Sequence, residues 1–96
     1  MNEKIKTEAV DHLMDAILTL QTKEEAFDFF EDLCTINELL SMSQRYEVAK
    51  LLTKKKTYVD IARETGASTA TISRVNRSLA YGNNGYDVVF KRLGEI

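Results

Sequence analysis

The segment Tyr58–Leu79, YVDIARETGASTATISRVNRSL, constrains the fold more than any other part of this chain. Two helices that cross over a turn of three or four residues need a small side chain where they touch. They also need a residue tolerant of left-handed backbone at the turn, and an apolar stripe on the second helix. Ala62, Gly66 and the series Ile72, Val75, Leu79 occur at the matching offsets. The stripe predicts a helix over 68–80 whose inner side is buried. Ser68, Thr69, Ala70, Ser73, Arg74 and Arg77 are then left at its opening or on its outer face. This is the pattern of a helix-turn-helix.

Those outward residues suit a nucleic-acid groove. Short Ser, Thr and Ala side chains at a helix N-terminus allow close approach to base edges, and the helix dipole favours phosphate there. Arg74 and Arg77 can reach phosphates or bond a guanine with two parallel hydrogen bonds. Two other uses of the pattern stay open, a helical hairpin that serves only packing and one that serves protein or RNA contacts. For both arginines a surface ion pair with Glu64 or Asp87 is the plain alternative.

Elsewhere the apolar residues recur at three- and four-residue steps. Val10, Leu13, Met14, Ile17 and Leu18 predict a first helix from about Thr7 to Leu20. Thr22 with Glu25 forms a capping box that opens a second helix carrying Ala26, Phe27, Phe30, Leu33 and Cys34. Thr35 with Glu38 opens a third. It reads as short, because Ser41 and Ser43 offer fresh caps for a fourth that carries Tyr46, Ala49 and Leu52 up to Lys54-Lys55-Lys56. Three lysines in a last turn suit the negative end of the dipole, as a solvated cap or as a phosphate contact. Thr57 caps the helix before Gly66. Residues 81–85 (YGNNG) read as a turn, and Tyr86 to Leu93 as a last helix packed through Val89, Phe90 and Leu93. The chain has no proline and no useful period-two alternation, so the expectation is an all-α fold of about six or seven helices without strands.

A net charge of −2 looks unsuited to a nucleic-acid partner, but it conceals a division. Residues 1–43 hold three basic and ten acidic side chains, a net of −7. Residues 44–81 hold eight basic and three acidic, a net of +5. Such asymmetry points to a phosphate-facing half, or to two solvated faces that merely differ. The single cysteine, Cys34, excludes an internal disulfide, lies in an apolar run that suggests a buried inert thiol, and suits a cytoplasmic location. His12, the only histidine, reads as a surface residue 22 positions from Cys34, which gives no metal site. No nucleophile–base pair or glycine-rich phosphate loop is present, so the reading is of a non-enzyme without cofactor. No stretch approaches the ~20 apolar residues of a membrane helix.

The run TATISRVNRSL after Gly66-Ala67 resembles the recognition segment of the Trp repressor. From Asp32 (DLCTINELLSMSQRYEVAKLL) through ETGASTATISRV to AYGN, the chain resembles the YerC/YecD group of Trp repressor-like proteins, over roughly residues 25–90. The resemblance implies an intertwined homodimer whose N-terminal helices build a shared core. It agrees with the thin core that 96 residues can bury. It also places Thr69, Ala70, Thr71 and Ser73 where the Trp repressor meets its operator, with Arg77 nearby. In the Trp repressor an arginine followed by glycine helps form the tryptophan pocket. Arg74 matches the arginine, and Thr71 and Ser78 match nearby polar positions, so Thr71, Arg74 and Ser78 form the candidate effector pocket. Val75 replaces the glycine and would fill the space an indole needs, which argues against tryptophan. The second corepressor-clamping arginine cannot be matched to Gln44 or Arg45.

The expectation is therefore a single domain over 1–96, with dimerisation helices in 1–42, a helix-turn-helix DNA-binding region in 43–81 and a packing helix in 86–94. Its partners would be double-stranded DNA and a second copy, with no membrane, and a small-molecule effector is left open. Its function would be that of a transcriptional regulator, a repressor because nothing resembles an activation domain.

Overall fold

The computed structural model describes residues 2–96 and is all-helical. Met1, the first residue of the expected dimerisation segment, lies outside the described residues. A single 3-10 turn, Glu3–Ile5, precedes six α-helices: α1 Glu8–Leu18, α2 Lys23–Leu33, α3 Ile36–Thr53, α4 Tyr58–Thr65, α5 Thr69–Tyr81 and α6 Gly85–Leu93. No strand occurs among the described residues, as expected. The chain forms two compact units, one ending at Leu39 and the other Leu40–Ile96, divided just after the first turn of α3.

In the first unit, local hydrogen bonds start each helix. Thr7 Oγ1 accepts from the Val10 amide at 3.1 Å, and Thr22 Oγ1 from the Glu25 amide at 3.1 Å, while the Glu25 carboxylate accepts from the Gln21 amide at 2.9 Å. The two threonine bonds satisfy amides that the first turn leaves without partners, and the Glu25 bond ties down the residue ahead of the cap. Neither α1 nor α2 contains a fully buried residue. Leu18 is 82% exposed and Phe27 63%, although both stand on the predicted stripes. His12 is on the surface, its Nε2 3.8 Å from Glu8. Cys34 differs from expectation. It caps the C-terminus of α2 through its amide, which donates to the Phe30 carbonyl at 2.9 Å, and is half-buried rather than enclosed.

Thr35 and Glu38 form the full reciprocal box at the start of α3. The Thr35 amide donates to Glu38 Oε1 at 2.8 Å, and the Glu38 amide to Thr35 Oγ1 at 3.1 Å. Hydrogen bonding of the carboxylate by the Thr35 backbone amide, and by the Thr35 side chain, holds the Glu38 carboxyl below the usual glutamate range. A lowered acid contributes stability that is present above the unfolded-state pKa and lost as pH falls through the folded one. Acidification below the ordinary glutamate range is therefore expected to fray this end of α3, seen as faster hydrogen exchange at the Thr35 amide. Glu38→Gln should remove most of that pH dependence, and an unchanged exchange profile in the variant would contradict the assignment.

The expected break between a third and a fourth helix does not occur. Ser41 and Ser43 could cap only if their side chains turned to amides ahead of them. Instead the Ser43 hydroxyl donates back to the Leu40 carbonyl at 2.8 Å, and Ser41 Oγ accepts from Arg45 at 3.1 Å. With no Gly or Pro to interrupt it, the ladder runs on as one 18-residue helix.

The second unit holds the core. Val48 and Ala49 from α3, Ile61 from α4, Ala67 from the turn, Ile72 and Val75 from α5, and Phe90 from α6 are buried. Phe90 stacks against Tyr86 with ring centres 5.9 Å apart, and meets Tyr46 at 5.4 Å in a tilted arrangement. The lysine run ends α3: Lys55 takes φ 66, and the Lys56 and Lys55 amides donate to Leu51 and Leu52 carbonyls at 3.1 and 3.0 Å. This is a Schellman ending made without glycine.

Candidate nucleic-acid interface

α4 and α5 pack against each other across the turn Gly66-Ala67-Ser68. Thr57 caps α4 by accepting from the Asp60 amide at 3.2 Å. Gly66 ends it at φ 72, with its amide on the Ala62 carbonyl at 2.9 Å. The turn is then bolted twice. Thr65 Oγ1 accepts from the Ala67 amide at 3.1 Å while donating to the Ile61 carbonyl at 2.7 Å. From α3, Gln44 donates through Nε2 to the Thr65 carbonyl at 3.2 Å, taking up an acceptor that the end of α4 would leave free. Neither the bridging Gln44 nor the buried Ala67 was anticipated. Ala62, expected at the helix contact, is half-buried against the core.

Ser68 then caps α5 by accepting from the Thr71 amide at 3.1 Å, and its Oγ also lies 3.1 Å from Thr71 Oγ1. The helix proper is Thr69–Tyr81, so Ser68 stands one residue ahead of it and Tyr81 extends it one beyond the expected end. Ile72 and Val75 face the core and Leu79 is packed against it. Ser68, Thr69, Ala70, Ser73, Arg74 and Arg77 are exposed, and Thr71 is half-buried. Among the described residues neither arginine has an ion-pair partner, and Asp87 instead pairs with Lys91 at 3.0 Å. α5 carries no acidic residue. Its outer surface is therefore small hydroxyl and methyl groups at one end and uncompensated guanidinium charge along the flank. Tyr81, 86% exposed and four residues beyond Arg77, extends that surface; its place in a glycine–asparagine segment made it read as turn.

Thr71, Arg74 and Ser78 share a side of α5 by their three- and four-residue spacing. Ser78 donates to the Arg74 carbonyl at 3.3 Å. Ser78 lines two open clefts, yet Thr71 and Arg74 line neither. Val75, only 2% exposed, fills core space with its branched side chain.

The family model of the Trp repressor protein matches residues 8–94. The uncharacterized protein YerC of Bacillus subtilis (strain 168) is 50% identical over 93 residues, spanning 97% of this chain and 89% of that one. The crystal structure of a TrpR-like protein from Eubacterium eligens ATCC 27750 superposes with a TM-score of 0.94 at 69% identity, covering 97% of this chain and 96% of the other. A candidate Trp repressor from Staphylococcus aureus gives a TM-score of 0.94 at 52% identity, with 98% and 94% covered.

Proposed function

Since the chain belongs to the Trp repressor protein family, we propose that it is a sequence-specific DNA-binding transcriptional regulator, acting as a repressor and not as an enzyme. α5 enters the major groove with Ser68, Thr69, Ala70, Thr71 and Ser73 toward base edges, and Arg74 and Arg77 toward phosphates or guanines. The observation that carries this reading is the division of α5. Ile72 and Val75 are buried while the hydroxyl edge and both arginines stay exposed without ion pairs among the described residues.

The working form is a homodimer built through residues 1–42. α1 and α2 bury no residue fully, and Leu18, Phe27 and Ile36 remain largely exposed, so a second copy is the natural cover for them. Two recognition helices would then meet successive major grooves ~34 Å apart on a near-palindromic site. Tryptophan is not the ligand, because Val75 occupies the position of the pocket glycine.

Selecting bound fragments from genomic DNA and titrating the best duplex by fluorescence anisotropy across a salt series tests the reading. Affinity should fall with a log–log slope of about −0.9 for each phosphate neutralised. Arg77→Ala should cost roughly 1–3 kcal/mol of binding, the scale of one specific arginine contact, with the circular dichroism spectrum and melting temperature unchanged. Failure of every duplex to bind at low salt would instead favour a module for protein or RNA contacts. A loss of stability in Arg77→Ala would place that side chain inside an interface.

A further inference from the structure

We propose that the cleft of about 500 Å³ bounded by the end of α3, the second half of α5 and the start of α6 binds a small monocarboxylate carrying a short apolar chain. The volume is that of a small-molecule site. Its apolar lining comes from Leu52, Leu79 and Phe90, and its polar lining includes Lys55, Asn76 and Asn84. Of the Thr71, Arg74 and Ser78 grouping only Ser78 lines this cleft, and Thr71 and Arg74 do not.

Lys55, Asn76 and Asn84 are exposed and uncommitted to protein partners among the described residues. Among the described residues Lys55 has no ion pair, while Lys54 next to it pairs with Glu95 at 3.4 Å and Lys50 pairs with Glu47 at 3.4 Å. The Asn76 and Asn84 side chains make no hydrogen bond among the described residues. The acid on the wall, Asp87, already pairs with Lys91 at 3.0 Å, which offsets its repulsion of an anion.

Two backbone observations point to the same place. Lys55 at φ 66 and Asn84 at φ 61 are the non-glycine residues with positive φ among those described, and both line this cleft. Glycine would end α3 at position 55 without steric cost, so lysine there supplies something glycine lacks. What it supplies is a cation on a lining that also carries the Asn76 and Asn84 amides and the apolar Leu52, Leu79 and Phe90. That set matches a carboxylate head with a hydrocarbon body, the head bonded by charge-assisted hydrogen bonds.

The test is an NMR titration of the full chain, without DNA, using hexanoate and, as its uncharged counterpart, 1-hexanol. Hexanoate should shift the amides of Asn76, Asn84 and Gly85 saturably with a Kd of about 1 mM or tighter, and 1-hexanol should not. Lys55→Gly keeps the turn, because glycine adopts φ 66 freely, and removes the ammonium. It should weaken hexanoate about tenfold or more, the scale of one bond to a charged group. Lys56→Ala, outside the cleft lining, should change the affinity less than twofold. No saturable shift, equal shifts with the alcohol, unchanged affinity in Lys55→Gly, or shifts confined to α1 and α2 would each overturn the proposal. Each of these outcomes would leave the DNA-binding reading intact.

Discussion

Phe90→Ala is expected to be the most damaging single truncation in the Leu40–Ile96 unit. The ring is 1% exposed, stacks on Tyr86 and meets Tyr46, so its loss removes contacts to α3 and to its own helix together. Removing a buried phenyl group costs about 3–5 kcal/mol through lost transfer energy and the cavity left behind. A chain of this size has roughly 5–14 kcal/mol to lose in total, so the variant should sit near the edge of stability. The melting temperature should fall by about 15–30 °C at fixed protein concentration. Phe90→Leu, which refills most of the volume, should recover more than half of that fall. If Phe90→Ala melted within about 2 °C of the parent protein, the aromatic cluster would not be holding α6 in place.

The second large effect concerns two glycines, and it reverses the usual ranking. Gly66 has φ 72, where an added Cβ meets no atom within 4 Å, so Gly66→Ala bears only the left-handed penalty of roughly 1–2 kcal/mol. Gly82 has φ −85, a value any residue adopts, yet a Cβ there would collide with the Ser78 carbonyl oxygen. That oxygen is backbone, and it also accepts the Gly82 amide at 2.9 Å. It cannot move aside without opening the end of α5. Gly82→Ala should therefore cost about 3 kcal/mol, the upper end of an overpacking conflict, and should loosen the last turn of α5. Urea unfolding of both variants, with hydrogen exchange at the Gly82 amide, measures this. Gly66→Ala proving the more destabilising of the two would sink the steric argument.

The parts of the fold that could be read from the chain alone are those whose bonds close within one turn. Thr22, Thr35, Thr57 and Ser68 all cap helices as their identities and their neighbours predict, and Thr7 caps where the first helix is expected to begin, because donor and acceptor are three residues apart. Gly66 ends α4 in left-handed geometry for the same reason, and the offsets of Ile72 and Val75 settle which side of α5 is buried. The same locality misled at Ser41 and Ser43. A serine that can cap can also bond back to its own helix, and nothing nearby in sequence decides between these.

Tertiary structure decided the rest, because the partners are far apart in the chain. Gln44 reaches Thr65 across 21 positions, Lys54 pairs with Glu95, and Phe90 joins Tyr46, none of which leaves a periodic trace. Only packing shows that Ser78 opens onto clefts that Thr71 and Arg74 do not line, and that Lys55 and Asn84 border the same one. Hydrogen bonds within a turn are set by a residue and its neighbours, whereas contacts between helices depend on where the whole core lets each helix come to rest.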